Sequence, residues 1–296
     1  MTDYWIYDGA MLKRSLALTT GLAMSVLLAA CGSSGSSTKG APVNVLYAGS
    51  LVNLMEKQIG PGFDTATGNT FTGFGAGSTA LVAQIKGKVH QGDIFISASP
   101  KANADLTGAA NGRWDTWYIT FASAGLVLGY NPSSTFAHDL LTKPWYEVIT
   151  EPGFRLGTTD PATDPKGKLA AQALADTGKS KKLPALTRLA TNSAYFFPEE
   201  TLVGRLQAGQ LDAGFFYTSE AKAGALATVP LTGVDLKATY TITILANAPH
   251  RAAAEAFVKY LLGPAGQAAL KQDGFTLITP PKVTGPVPGS LRTVLR

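Results

Sequence analysis

The sequence predicts an α/β protein whose parallel strands are covered by helices on both faces, and three observations carry that prediction. From Val43 to about Tyr118, short apolar runs alternate with helical patterns, strand then helix three times over. A long apolar, β-rich run follows, Tyr118–Tyr130, and a second series of strands and helices then extends from Phe154 to Tyr217. Alternation of this kind is the signature of parallel strands joined through helical crossovers. The chain has 296 residues, enough for one large or two medium domains with real cores, and only 15% are charged.

The first elements are the most informative. Val43–Tyr47 and Ile94–Ile96 read as buried strands that stop at small or hydroxyl residues. Between them lie two helical patterns, each entered through a Gly/Ser turn: Ala48-Gly49-Ser50 and Gly75-Ala76-Gly77-Ser78-Thr79. A strand that ends in such a turn before a helix aims unpaired backbone N–H groups and a hydroxyl at one point, where the helix also carries partial positive charge. Ser50 and Ser78 read equally well as N-caps. Their pairing before the strand Asp93-Ile-Phe-Ile-Ser97 predicts a grip on one small oxyanion, with Thr79 as alternate to Ser78.

The next elements continue the alternation. A helix is expected near Pro100, and Trp114–Tyr118 forms an aromatic cluster at a sheet edge. Phe154–Thr158 reads as a strand, Asp160–Gly167 as a loop and Lys168–Thr177 as an Ala-rich helix. The loop Thr191–Glu200 leads to a helix at Thr201–Ala208 and a strand at Leu211–Tyr217. Ala238–Leu245 alternates as a strand, while Arg251–Leu262 and Pro264–Gln272 are amphipathic helices closed by Asp273-Gly274-Phe275. Residues 283–296 carry no strong pattern.

Taken together, the Tyr-Ala-Gly-Ser-Leu turn, the Gly-Ala-Gly-Ser turn, Phe95-Ile-Ser-Ala98, the loop Asp160-Pro-x-x-Asp164-Pro-x-Gly167, the helix start at Pro198 and the ending at Gly263-Pro264 and Gly274-Phe275 fix a resemblance. Over residues 43–280 the chain resembles the periplasmic molybdate/tungstate-binding proteins of ABC importers, in their tungstate-type branch. The resemblance implies a type II periplasmic-binding-protein fold. Residues 43–120 plus 240–296 would form one lobe and 121–239 the other, joined by two crossover strands. It also implies ligand contacts from Ser50, Ser78, Thr79, Asp160 or Asp164, Glu200 and Tyr217. Lys166 departs from the resembled pattern, in which many relatives carry a small or neutral residue there, and either adds a charge contact to the anion or points to water.

The carboxylates need a chemical reason, because molybdate and tungstate are dianions. Two unit charges 4 Å apart repel by ~1 kcal/mol in water and by several in a cleft. An acid becomes useful if its oxygen bonds the metal centre. Mo(VI) and W(VI) accept extra oxygen ligands, whereas sulfur in sulfate does not readily do so. The resemblance assigns that direct coordination to Asp164 and Glu200. No cofactor is expected beyond the anion itself. Sulfate, thiosulfate and phosphate are the competing ligands of the same class.

Composition narrows the other possibilities. The net charge of +5 includes no basic run longer than the Lys179–Lys182 cluster, so no nucleic-acid stripe is present. A surface-tethered hydrolase is the alternative from a different class. Against it, the chain lacks GxSxG and HExxH, and His90, His138 and His250 lie outside the cleft-forming turns. No enzyme is expected. Cys31 is the sole cysteine and follows a basic start at Lys13-Arg14 and an apolar run, Ser15–Ala30. That layout predicts a signal peptide over residues 1–30, with translation starting at Met11. Leu28-Ala-Ala-Cys31 resembles the lipobox of bacterial lipoproteins, implying lipidation at Cys31 and a flexible tether through residue 42. The expected setting is therefore an exported monomer, lipid-anchored to a membrane and served by an ABC permease.

Overall fold

A computed structural model describes residues 40–295. The signal peptide, the start at Met11, lipidation at Cys31 and nearly all of the tether lie outside the described residues. The strands are β1 (Pro42–Ala48), β2 (Thr70–Ala76), β3 (Ile94–Ser97), β4 (Tyr118–Tyr130), β5 (Leu156–Gly157), β6 (Ala213–Tyr217), β7 (Ala227–Val229), β8 (Lys237–Ile244) and β9 (Thr276–Thr284). They form one curled sheet in the order β2-β1-β3-β8-β4-β6-β5, with β7 and β9 also paired to β4. Strands β1, β2 and β3 are parallel, as the alternation of strand and helix requires.

Alternation along each strand builds the layers. In β1, Val45 and Tyr47 enter the main core while Leu46 faces the other side, where it meets Phe95 and Leu81, Val82 and Ile85 of the Ser78–Lys86 helix. The opposite face of the same strands packs on Phe257, Val258 and Leu261 of the Arg251–Leu262 helix. The pattern repeats in β6: Phe215 and Tyr217 enter the main core, while Phe216 joins Leu202, Leu206 and Leu211.

The long β4 carries the chain from one half of the sheet to the other. Its first residues pair with β8 and β9, and Leu126–Tyr130 pairs with β6. The second half is more antiparallel than expected: β5 and β6 are parallel, but β4 runs antiparallel to both β6 and β7.

Several boundaries move. The strand expected at Phe154–Thr158 shrinks to two residues, because Arg155 is held by Asp212 and Thr158 bridges to Phe196. The helix expected from Lys168 begins at Pro165, and the one expected from Thr201 begins at Glu199. The segment after 282 holds regular structure: β9 ends at Thr284, and a turn at Gly289–Val294 buries Leu291. No helix among the described residues is long and apolar enough to cross a membrane.

Candidate functional site

The site lies where the strand-end turns of the first half meet helix starts from the second. After β1 the chain makes a tight turn, Gly49–Leu51, and the largely buried Ser50 hydroxyl lies 3.0 Å from the Tyr240 hydroxyl. After β2, Gly77 caps the Ser78–Lys86 helix, and the buried Ser78 Oγ accepts the Ala98 N–H at 3.1 Å. Ser78 is thus the first helical residue, and its hydroxyl proton is still free to be donated. Thr79 is half-buried and accepts from Lys168 Nζ at 3.1 Å, a contact that links the two halves. Ala80 N–H adds a second link by donating to the Thr163 carbonyl at 3.1 Å.

Asp164 is the N-cap of the Pro165–Ser180 helix. Its Oδ1 accepts the Lys166 and Gly167 N–H groups at 2.8 and 3.1 Å and the Thr159 hydroxyl at 2.7 Å. Oδ2 is buried and has no partner. Glu199 opens the Glu199–Gln207 helix, buried with Leu202 and Leu206 on one face. Its Oε1 lies 3.4 Å from Lys166 Nζ, and Oε2 is likewise buried without a partner. Each acid therefore has one oxygen engaged and one left over. A buried acceptor in that state costs roughly 1–3 kcal/mol. When Glu199 carries a proton, a hydrogen bond to Asp164 meets that cost within the protein.

The leftover oxygens face the two glycine turns. A Cβ on Gly49 would sit 2.7 Å from Glu199 Oε2, and one on Gly77 would sit 3.1 Å from Asp164 Oδ2. Only a residue without a side chain lets backbone and carboxylate approach this closely. The Tyr217 hydroxyl, at the end of β6, is also buried without a partner, and its ring meets Tyr240 edge-on at 6.2 Å.

Lys166 is fully buried, with Nζ 2.7 Å from Glu220 Oε1. Glu220 Oε2 accepts the Tyr217 N–H at 2.8 Å, so this one residue caps the following helix and anchors the lysine. Burial alone would lower the Lys166 pKa, but Glu220, Glu199 and Asp164 outweigh it and hold the ammonium above the ordinary lysine range. Burial, with Asp164 next in importance, pushes Glu199 well above the usual carboxylate range, against the pull of Lys166. Burial also raises Glu220, again opposed by Lys166. The Tyr217 hydroxyl is raised by burial and by the charges of Tyr240, Asp164 and Glu199.

The structure thus brings Ser50, Ser78, Asp164, Lys166 and Tyr217 together, with Asp160 and Glu200 on the more exposed wall. Glu200 is exposed, and it lines with Asp160, Asp164, Glu199 and Gly77 one cleft of about 380 Å³. A helix that starts at Glu199 turns residue 199 inward and residue 200 out, so Glu199 takes the inner position expected of Glu200. Asp160 is half-buried and closes its own turn through the Ala162 N–H at 2.8 Å. Sequence reading missed Glu199, Glu220 and Tyr240. The signal for Glu199 was its spacing to Leu202 and Leu206, three and seven residues on, which is one helix face. Tyr240 follows from the inward alternation of Ala238, Tyr240 and Ile242 in β8.

Comparisons with known proteins agree with this architecture. A putative ABC transporter molybdenum-binding protein of Haloferax volcanii is 28% identical, covering 92% of this chain and 94% of its own length. The molybdate/tungstate-binding protein WtpA of Thermococcus kodakarensis is 26% identical over 95% of this chain and 96% of its own. Among solved structures, the periplasmic molybdate-binding protein of Azotobacter vinelandii superposes with a TM-score of 0.63 at 21% identity, covering 80% of this chain and 99% of that one. That likeness establishes the two-lobed periplasmic-binding-protein fold. Residues 43–276 match the model of bacterial extracellular solute-binding proteins, and the chain belongs to that family.

Proposed function

We propose that this protein is the substrate receptor of an ABC importer and captures molybdate or tungstate between its two lobes. The observation that carries the reading is the pair of buried acids, Asp164 and Glu199, each with one oxygen pinned and the other aimed at a glycine turn of the facing lobe. Repulsion disfavours a dianion beside two such groups unless their oxygens bond the metal centre. The Ser50, Ser78 and Tyr217 hydroxyls and the helix-start N–H groups then hold the oxo atoms. Donors give affinity, and coordination gives selectivity over sulfate.

In this reading residues 43–120 and 240–296 form one lobe and 121–239 the other. They close about β4 and β8, and the anion stabilises the closed form by touching both sides. The filled receptor delivers its cargo to a membrane permease as a monomer, tethered outside the cytoplasm through a lipid on Cys31. The names and coverage of the relatives support this assignment. Calorimetric titration of residues 39–296, which form one compact unit, with molybdate, tungstate and sulfate at matched ionic strength tests it. One-to-one binding of the first two with sulfate silent is expected. Binding of sulfate or phosphate instead would keep the receptor and discard the coordination chemistry.

A further inference from the structure

We infer that Lys166 is a positioning residue for the anion: through Glu199 Oε1 it holds that carboxylate with Oε2 turned toward the Gly49-Ser50 turn. This rests on the functional reading above and deepens it.

The geometry supplies the argument. Lys166 Nζ is fully buried, 2.7 Å from Glu220 Oε1 and 3.4 Å from Glu199 Oε1. Glu220 is fixed from its other side by the Tyr217 N–H, so the ammonium is anchored at a strand end rather than carried on a loose side chain. The lysine stem leaves the first turn of the Pro165–Ser180 helix, whose N-cap is Asp164. Its position is therefore tied to the second acid as well. The Nζ also lies 5.6 and 5.7 Å from the Phe216 and Tyr217 ring centres, which close off water and restrict where it can move. One residue thereby connects three helix starts and decides which Glu199 oxygen faces the opposite lobe.

Charge supports the same role. Asp164, Glu199 and Glu220 bring three carboxyl groups into one small buried volume, and Lys166 is the cation that bears on Glu199. A dianion approaching those acids meets a lower net negative charge than it would without the buried ammonium. Groups that orient a metal-bonding ligand typically change affinity by about 10- to 100-fold when removed.

A double-mutant cycle in the purified protein tests this with molybdate and sulfate as the titrants. Lys166→Met is expected to weaken molybdate binding by about 10- to 100-fold. Glu199→Gln should weaken it at least as much, and the Lys166→Met/Glu199→Gln double variant no further than Glu199→Gln alone, because Lys166 acts through Glu199. Lys166→Met/Glu220→Gln replaces the buried ion pair with a neutral one. It guards against loss of fold and should regain thermal stability but not molybdate affinity. The molybdate-over-sulfate ratio should fall with affinity in each Lys166 variant. Additive losses in the cycle, or full recovery of affinity in Lys166→Met/Glu220→Gln, would overturn the inference while leaving the receptor intact. A native protein that binds neither molybdate nor tungstate would remove the functional reading and this one with it.

Discussion

At the scale of single residues, one position separates the ligand of the proposed reading from an exposed neighbour. Glu199 and Glu200 are adjacent acids at the same helix start, yet one is buried against a glycine turn and the other faces solvent. If both acids bond the metal centre as proposed, Glu199→Gln and Asp164→Asn are each expected to cost about 100-fold in molybdate affinity. Glu200→Gln should change affinity by no more than about twofold, as surface substitutions usually do. Calorimetry on the three variants reads the difference, and a Glu200→Gln loss as large as that of Glu199→Gln would reverse the assignment.

Glu199 also sets a pH dependence. Its proton is held more tightly in the folded protein than in the unfolded chain, because of burial and Asp164. Glu220, raised by burial, acts in the same direction. Between the ordinary carboxylate pKa and the raised one, the native state therefore binds more protons, and its stability falls as pH rises. The ligand-free protein should melt lower at pH 8 than at pH 5. Glu199→Gln should remove much of that difference, by about 2–4 °C for each kcal/mol. Melting curves of the two proteins at both pH values check this. An acid that bonds an anion well is thus expected to weaken the empty receptor.

Secondary-structure elements explain what the sequence made legible and what it hid. The Ser50 and Ser78 turns could be read because strand, glycine and hydroxyl follow one another without interruption. Asp164 was readable for a similar reason: Asp-Pro before a helix is a local signal, and its capping bonds are local too. Glu199 was not, because its choice over Glu200 depends on a helix start two residues earlier than the expected one, fixed by packing of Leu202 and Leu206. Lys166 was legible as a candidate charge beside the anion, but its full burial was not. Nothing within its own loop announces that a lysine will be buried, since its partner Glu220 lies 54 residues away.

The glycines of the turns make the next prediction. Gly49→Ala would place a Cβ 2.7 Å from Glu199 Oε2, a clash where the Gly49 turn meets the Glu199 helix start. Overpacking of this kind costs about 1–3 kcal/mol, which corresponds to roughly 5- to 150-fold in affinity. The variant is expected to fold normally by circular dichroism and to bind molybdate that much less tightly. Native affinity in it would show that the turn and Glu199 do not meet in the loaded form.

Across the whole molecule, the two ends of β4 and the pairing of β8 make one sheet out of two halves, so closure has few places to occur. The contacts that join the halves at the cleft include polar ones, Lys168 to Thr79 and Ala80 to Thr163. Polar contacts of that kind can part and rejoin at small cost in apolar burial, which suits a receptor that must both hold and release. In the proposed reading the anion bridges the two lobes, with Asp164, Glu199 and Tyr217 on one side and Ser50 and Ser78 on the other.

The central claim is that carboxylate oxygens of this cleft bond the metal centre itself. X-ray absorption at the molybdenum edge, recorded on the protein loaded with one equivalent of molybdate, tests it most directly. A weakened tetrahedral pre-edge feature and added oxygen ligands at longer distance are expected, both reverting to the free-anion pattern in the Asp164→Asn/Glu199→Gln double variant loaded to saturation. An unchanged tetrahedral spectrum in the native complex would contradict it and leave a cleft that holds its anion by hydrogen bonds alone.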